Sequence, residues 1–267
     1  MSRLQIAFSG SGFLAPAHAG VAYSLLKNGF TFEQLAGTSG GSIIAAMLAI
    51  GKTQEDFKTM ALHTNFGKLL NFNLWAILDT WSFSSGNALE KWLKKNLGKV
   101  TFKDLSMPLY IVSTNLTDGS IFVFSKENTP DVPLYYACRS SASVPFGYSP
   151  IKDGKNILVD GGMVDNMPGK FLTGGTPRFN IDLKSGYTGV TSSPLEYGLS
   201  LVNLLLHSLK SATVREIVKE GEVVIDVDVS GYGFMNTGLT ESQKLDLFIK
   251  GYDAVNVQIP SYFKGLE

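Results

Sequence analysis

The chain has 267 residues, 44% of them hydrophobic, with 28 glycines and one cysteine, enough to bury a large core and too little cysteine for a disulfide framework or a cysteine-built zinc site. Lys plus Arg balance Asp plus Glu at 23 each, so no net basic field is available to hold a nucleic-acid backbone, and nucleic acid is not an expected partner. The opening Met1-Ser2-Arg3-Leu4 lacks a signal-peptide layout, and no run of about 18 apolar residues suggests a membrane span. The expected setting is cytoplasmic, with peripheral contact at membranes.

Leu4-Gln5-Ile6-Ala7-Phe8 reads as a short apolar strand, followed by the loop Ser9-Gly10-Ser11-Gly12 and a helix beginning near Pro16, a residue suited to a first helical turn. After Gly29 a second short element reaches Gly37-Thr38-Ser39-Gly40-Gly41, and an apolar helix follows to Ile50. Strand, glycine loop, helix, strand, serine turn, helix is the order of an α/β protein. Thr53-Gln54-Glu55-Asp56 opens a further helix with a cap and an acidic first turn. Residues 66–83 are rich in aromatic and aliphatic side chains, Trp75 and Trp81 among them. They read either as part of the core or as a lid or interfacial insertion around residues 60–86 whose aromatic side chains meet lipid.

Residues 109–112 and 121–124 read as strands around the Asp-Gly turn Thr117-Asp118-Gly119-Ser120. Ile157-Leu158-Val159 is a further strand that ends at Asp160-Gly161-Gly162. Strands at 179–182 and 223–225 flank a helical pattern from about 195 to 220, and residues 241–263 are mostly helical. No Pro/Ser-rich linker or charge block divides the chain, so one domain over residues 1–267 is expected.

The serine pentapeptide carries the chemistry. Ser39 between small residues reads as a nucleophile elbow, because a tight strand-to-helix turn leaves no room for larger neighbours. A serine hydroxyl needs a group to take its proton and donors to hold the oxyanion that its attack creates. The loop Gly10-Ser11-Gly12 offers consecutive backbone N–H groups. It lacks the Gly-Lys-Ser/Thr of a nucleotide loop, and Ala15 stands where a dinucleotide fingerprint has its third glycine. Of the three Asp-Gly pairs, Asp118 and Asp153 sit in polar turns that explain them. Asp160 ends an apolar strand, where α/β sheets bind ligands, and a low-polarity setting raises a carboxyl pKa and makes it a better base. The order Ser39, Asp160, His207 matches that of α/β-hydrolase triads, but His207 lies in a helical stretch. His18 and His63 also read as structural, and no histidine has acidic neighbours at zinc-ligand spacing.

Four stretches together resemble the patatin-like phospholipase family. They are Gly10-Ser11-Gly12-Phe13-Leu14-Ala15 with His18-Ala19-Gly20-Val21, the elbow Gly37 to Ser42, the segment Arg139-Ser140-Ser141-Ala142-Ser143-Val144-Pro145-Phe146, and Val159-Asp160-Gly161-Gly162 leading to Asn166-Met167-Pro168. The resemblance implies a three-layer α/β/α sandwich around a mostly parallel sheet. It also implies a Ser39/Asp160 dyad without histidine that cleaves acyl esters of phospholipid, lysophospholipid or glyceride through an acyl-enzyme. Gly10, Ser11, Gly12 and Gly40 would supply the oxyanion hole, and neither cofactor nor metal would be needed.

The chain departs from the family's Gly-Gly-Gly-X-Arg/Lys-Gly pattern at Ser11, Leu14 and Ala15. No cation therefore supports the loop, and the headgroup is left open. An acyltransferase or thioesterase using the same serine, and a non-catalytic lipid-binding protein, are the alternatives.

Overall fold

In the computed structural model, which describes residues 2–70, 82–186, 194–234 and 236–264, the expected first strand is the centre of the sheet. Side chains Leu4 to Phe8 of β1 (Arg3–Phe8) are all buried, as in a strand covered on both faces. Leu4, Ile6 and Phe8 join the main core, whereas Ala7 meets Ala36 and Leu172 on the opposite face, following the two-residue period of a strand. β2 (Thr31–Thr38) pairs with β1 in parallel, and β3 (Leu109–Asn115) with β2. β4 (Ser120–Phe124), β5 (Ile151–Asp153) and β6 (Asn156–Asp160) form an antiparallel extension on the β3 side. β7 (Arg178–Lys184) and β8 (Val223–Asp228) continue the parallel sheet on the other flank of β1.

The order is β5-β6-β3-β2-β1-β7-β8, with β4 paired to β3. The chain thus winds away from β1 in one direction and returns to its other side. The C-terminal ends of β1 and β2 open beside this reversal, the place where such sheets bind ligands.

One face of the sheet carries α1 (Ala15–Lys27), α2 (Gly40–Ala49), α3 (Gln54–His63), α5 (Asn87–Leu97), α6 (Leu134–Ser141) and α8 (Glu241–Lys264). The short α4 (Phe66–Leu70) packs against α5. The turns Gly161–Met163 and Pro168–Phe171, with α7 (Pro194–Lys219), cover the other face. The protein is therefore a three-layer α/β/α sandwich. Thr53 caps α3 in a capping box with Asp56, and Pro16 sits in the first turn of α1. The helices α5 and α6 and the strand β5 were not among the elements expected. Trp75 and Trp81 lie outside the described residues; just before them, α4 places Phe66 in the core.

Two glycines set the approach of α1 and α8. A Cβ on Gly20 would run into the Phe248 carbonyl, and one on Gly251 into the Ala17 carbonyl. Alanine is the better helix former by about 1 kcal/mol, so a free helix would gain from the change. We expect Gly251→Ala instead to lower stability by roughly 1–3 kcal/mol, the usual cost of overpacking, in urea unfolding. An unchanged or higher midpoint would contradict the close contact.

Candidate active site

The last residue of β2 leads directly into Ser39, whose backbone has φ 53° and ψ −126°. A non-glycine residue with positive φ is strained and persists only where its surroundings hold it. Here small neighbours make room for the turn. A Cβ on Gly37 would lie 2.6 Å from the Gly41 carbonyl oxygen. One on Gly41 would strike the Ser9 carbonyl, and one on Gly40 the Ser11 hydroxyl. Hydrogen bonds then pin the turn: Ser39 N–H donates to Ser141 Oγ at 2.8 Å, and Ser42 N–H and Oγ donate to the Ser39 carbonyl at 3.0 and 2.6 Å. Ser141 Oγ in turn donates to the Val112 carbonyl on the neighbouring strand at 2.5 Å. Ser141 belongs to the Ala/Ser-rich segment, and no sequence signal marked it as the elbow's anchor.

Asp160 stands at the end of β6 and is 1% exposed. Its N–H donates to the Ser143 carbonyl at 2.9 Å and its carbonyl accepts from Thr114 Oγ1 at 2.8 Å. Oδ1 accepts from Gly162 N–H at 2.8 Å, while the buried Oδ2 has no hydrogen bond of regular geometry among the described residues. Burial pushes the carboxyl up to about 6; the adjoining Ser39 hydroxyl, then the Gly162 N–H, pull it partly back. Asp160 is thus charged at neutral pH and more basic than a solvated aspartate. Asp118 has only a turn role, accepting from Ser120 N–H and Oγ at 3.0 and 2.6 Å.

The glycine loop lies against the elbow, with the Ser11 side chain filling the space over Gly40. Gly12 adopts φ +52°, and a Cβ there would meet Phe234. Gly10 differs from expectation. Its N–H donates to both the carbonyl and Oδ1 of Asn166, each at 3.1 Å, and so it braces the loop rather than facing Ser39. The N–H groups of Ser11, Gly12 and Gly40 have no protein acceptor among the described residues. Leu14 is buried in the core, and Ala15 opens α1 without a positive φ, so both departures from the glycine-rich pattern fit the backbone.

The histidines stand apart from this chemistry. His18 is buried, and Nε2 donates to the Ser9 carbonyl at 2.8 Å. Burial holds its pKa down to about 3, so the ring is neutral and braces the start of the loop. His63 is exposed at the end of α3. His207 lines a small separate pocket with Asn166, Asn203 and Lys210. No group of metal-ligating side chains occurs among the described residues.

Ser39 and Gly40 open into a cleft lined mainly by apolar side chains, as small-molecule sites are. Phe13 from the loop, Ile43 from α2, Met60 from α3, Leu69 from α4, Trp92 from α5 and Tyr148 are among its lining side chains.

A family model described as patatin-like phospholipase matches residues 6–171. The chain belongs to this family. It is 29% identical to the uncharacterized protein YqhO of Bacillus subtilis, over 91% of this chain and 94% of that one. It is 31% identical to a probable lipid hydrolase, 463L, of Invertebrate iridescent virus 6, over 83% of this chain and 77% of the relative. The lysophospholipase NTE1 of Saccharomyces cerevisiae is 26% identical over 73% of this chain, which spans only 11% of that much longer protein. Among solved structures, VipD from Legionella pneumophila shares the fold with a TM-score of 0.61 at 16% identity, covering 97% of this chain and 67% of VipD.

Because Asp160 is harder to ionise when folded than when unfolded, its contribution to stability is greatest below the unfolded aspartate pKa and is lost as pH rises through about 6. Asparagine mimics the neutral carboxyl. Asp160→Asn should therefore raise the unfolding free energy by roughly 1–3 kcal/mol at pH 7.5, with the gain shrinking towards pH 4. Urea titrations at both pH values check this; equal stability of variant and parent at pH 7.5 would contradict the burial cost.

Proposed function

We propose that this patatin-like protein is a lipid acyl hydrolase of phospholipase A or lysophospholipase type, working through Ser39 and Asp160. The observation that carries the proposal is a strained serine beside a buried, basic carboxylate at the inner edge of an apolar cleft. Asp160 takes the Ser39 proton as Oγ attacks the ester carbonyl, and the N–H groups of Ser11, Gly12 and Gly40 receive the oxyanion. Collapse breaks the ester bond, Asp160 returns the proton to the departing alcohol oxygen, and the acyl group stays on Ser39. Water then gives a proton to Asp160 and attacks the acyl-enzyme, the same donors hold the second oxyanion, and the fatty acid leaves as Ser39 regains its proton. One carboxylate serves both halves, as microscopic reversal of acid and base roles requires, and no histidine is used.

Contact with a lipid surface belongs to the same proposal. Phe146 is exposed between Val144 and Gly147, both of which line the cleft, and Gly198 of α7 adjoins its ring. Leu201, Leu204 and Leu205 extend this apolar face along α7. An alcohol in place of water would turn the same acyl-enzyme to transfer.

The test is fatty-acid release from phospholipids, lysophospholipids and glycerides, presented as monomers and as vesicles, with and without an added alcohol acceptor. Ser39→Ala and Asp160→Asn should each lose at least 10³-fold in kcat, while His207→Ala retains activity. Loss in a folded His207→Ala would overturn the dyad. Acyl-alcohol as the main product would favour transfer, and lipid binding without turnover by the parent would favour a binding protein.

A further inference from the structure

Arg139 is 1% exposed, and no carboxylate forms an ion pair with it among the described residues. Glu90, the acid whose charge it feels, is bound to Lys94 instead. Burying an unpaired guanidinium is costly unless its donors are used. Here Nη1 donates to Ser143 Oγ at 2.5 Å, and Nη2 to the carbonyls of Ser85 and Ser149, each at 3.0 Å. The Tyr148 ring covers the cation at 5.4 Å. Gly86, with φ +77°, has no room for a Cβ because the guanidinium occupies that space.

The segments gathered on this cation form two walls of the cleft. Residues 143–149 contribute Val144, Gly147 and Tyr148 to its lining, while Gly86 begins α5, which contributes Leu89 and Trp92. The walls are joined by backbone bonds from Phe83 N–H to Phe146 (2.7 Å), Ser84 N–H to Gly147 (3.1 Å) and Ser149 N–H to Ser84 (2.8 Å). Phe146 within this wall has φ 65°, a strained conformation that needs outside support. Ser143 meanwhile accepts the N–H of Asp160, so the acid's backbone rests on the same segment.

We propose that Arg139 is a positioning residue for acyl-chain recognition: it touches no substrate, yet its planar fork holds the two walls at the spacing a long chain requires. This rests on the hydrolase function proposed above. Lysine keeps the charge but cannot reach several acceptors in one plane. A short acyl group uses only the cleft beside Ser39, whereas a long one runs along the walls and loses contact when they shift.

The experiment compares p-nitrophenyl butanoate and palmitate hydrolysis by the parent, Arg139→Lys, Ser143→Ala and Ser39→Ala, the first three normalised by fluorophosphonate labelling and Ser39→Ala by protein concentration with its fold checked by circular dichroism. Arg139→Lys should lower the palmitate-to-butanoate ratio of kcat/KM about tenfold, what one or two lost methylene contacts produce. The change should fall mainly on KM, because wall contacts are alike in ground and transition states. Ser143→Ala, which removes one acceptor and keeps the arginine, should shift the ratio about threefold in the same direction and stands in if the lysine variant does not fold. Ratios within a factor of 1.5 of the parent (about 0.2 kcal/mol) in the folded variants overturn the proposal while leaving the hydrolase function standing. An inactive parent, or hydrolysis surviving in Ser39→Ala, overturns the hydrolase function and this proposal with it.

Discussion

The close approach of the end of β1 to the serine turn governs the site. Gly41 lies where a side chain would strike the Ser9 carbonyl, and Gly40 where it would strike the Ser11 hydroxyl. This contact brings the loop N–H groups that have no acceptor among the described residues to the turn that carries Ser39, whose φ is positive. The strain is met locally by Ser42 and across the sheet by Ser141, which links the turn to β3. Rigid neighbours holding a strained residue are how a fold pre-organises a reactive group.

Electrostatics then divides the buried polar groups by role. His18 and Asp160 are both fully buried, yet burial acts on them in opposite directions, lowering the imidazole to about 3 and raising the carboxyl to about 6. The first is left neutral, a fixed brace for the loop through Ser9. The second remains charged at neutral pH and becomes a proton acceptor of useful strength. Arg139 completes the set as a buried cation whose Nη1 and Nη2 donate to hydroxyl and backbone oxygens, and its partner Ser143 holds the backbone of Asp160. Cleft wall and acid therefore share one polar scaffold.

What was legible in the sequence was local. The elbow, the Asp160-Gly161-Gly162 strand end and the Thr53 cap are short patterns in which neighbouring residues determine the backbone, and the structure places all of them where they were expected. The sheet was largely legible from its apolar runs, but β5, only Ile151–Asp153, is too short to show a period. Leu89, Leu93 and Leu97 repeat at four-residue spacing on α5 and could have revealed that helix; α6 is a single short stretch of serine and tyrosine around Arg139 with little helical signal. The diversion of Gly10 depends on Asn166, 156 residues away, and the burial of Arg139 on the carbonyls of Ser85 and Ser149, 54 and 10 residues away. Such contacts arise only when the chain is closed, and no residue type announces them beforehand.

Labelling of Ser39 by a fluorophosphonate as a function of pH tests the dyad most directly, because it reads serine activation without any choice of lipid. The coupling of Ser39 to a buried Asp160 predicts a labelling rate that falls as pH drops through about 6 and is at least 100-fold slower in Asp160→Asn. A rate independent of pH between about 5 and 8, or equal in parent and variant, would contradict it.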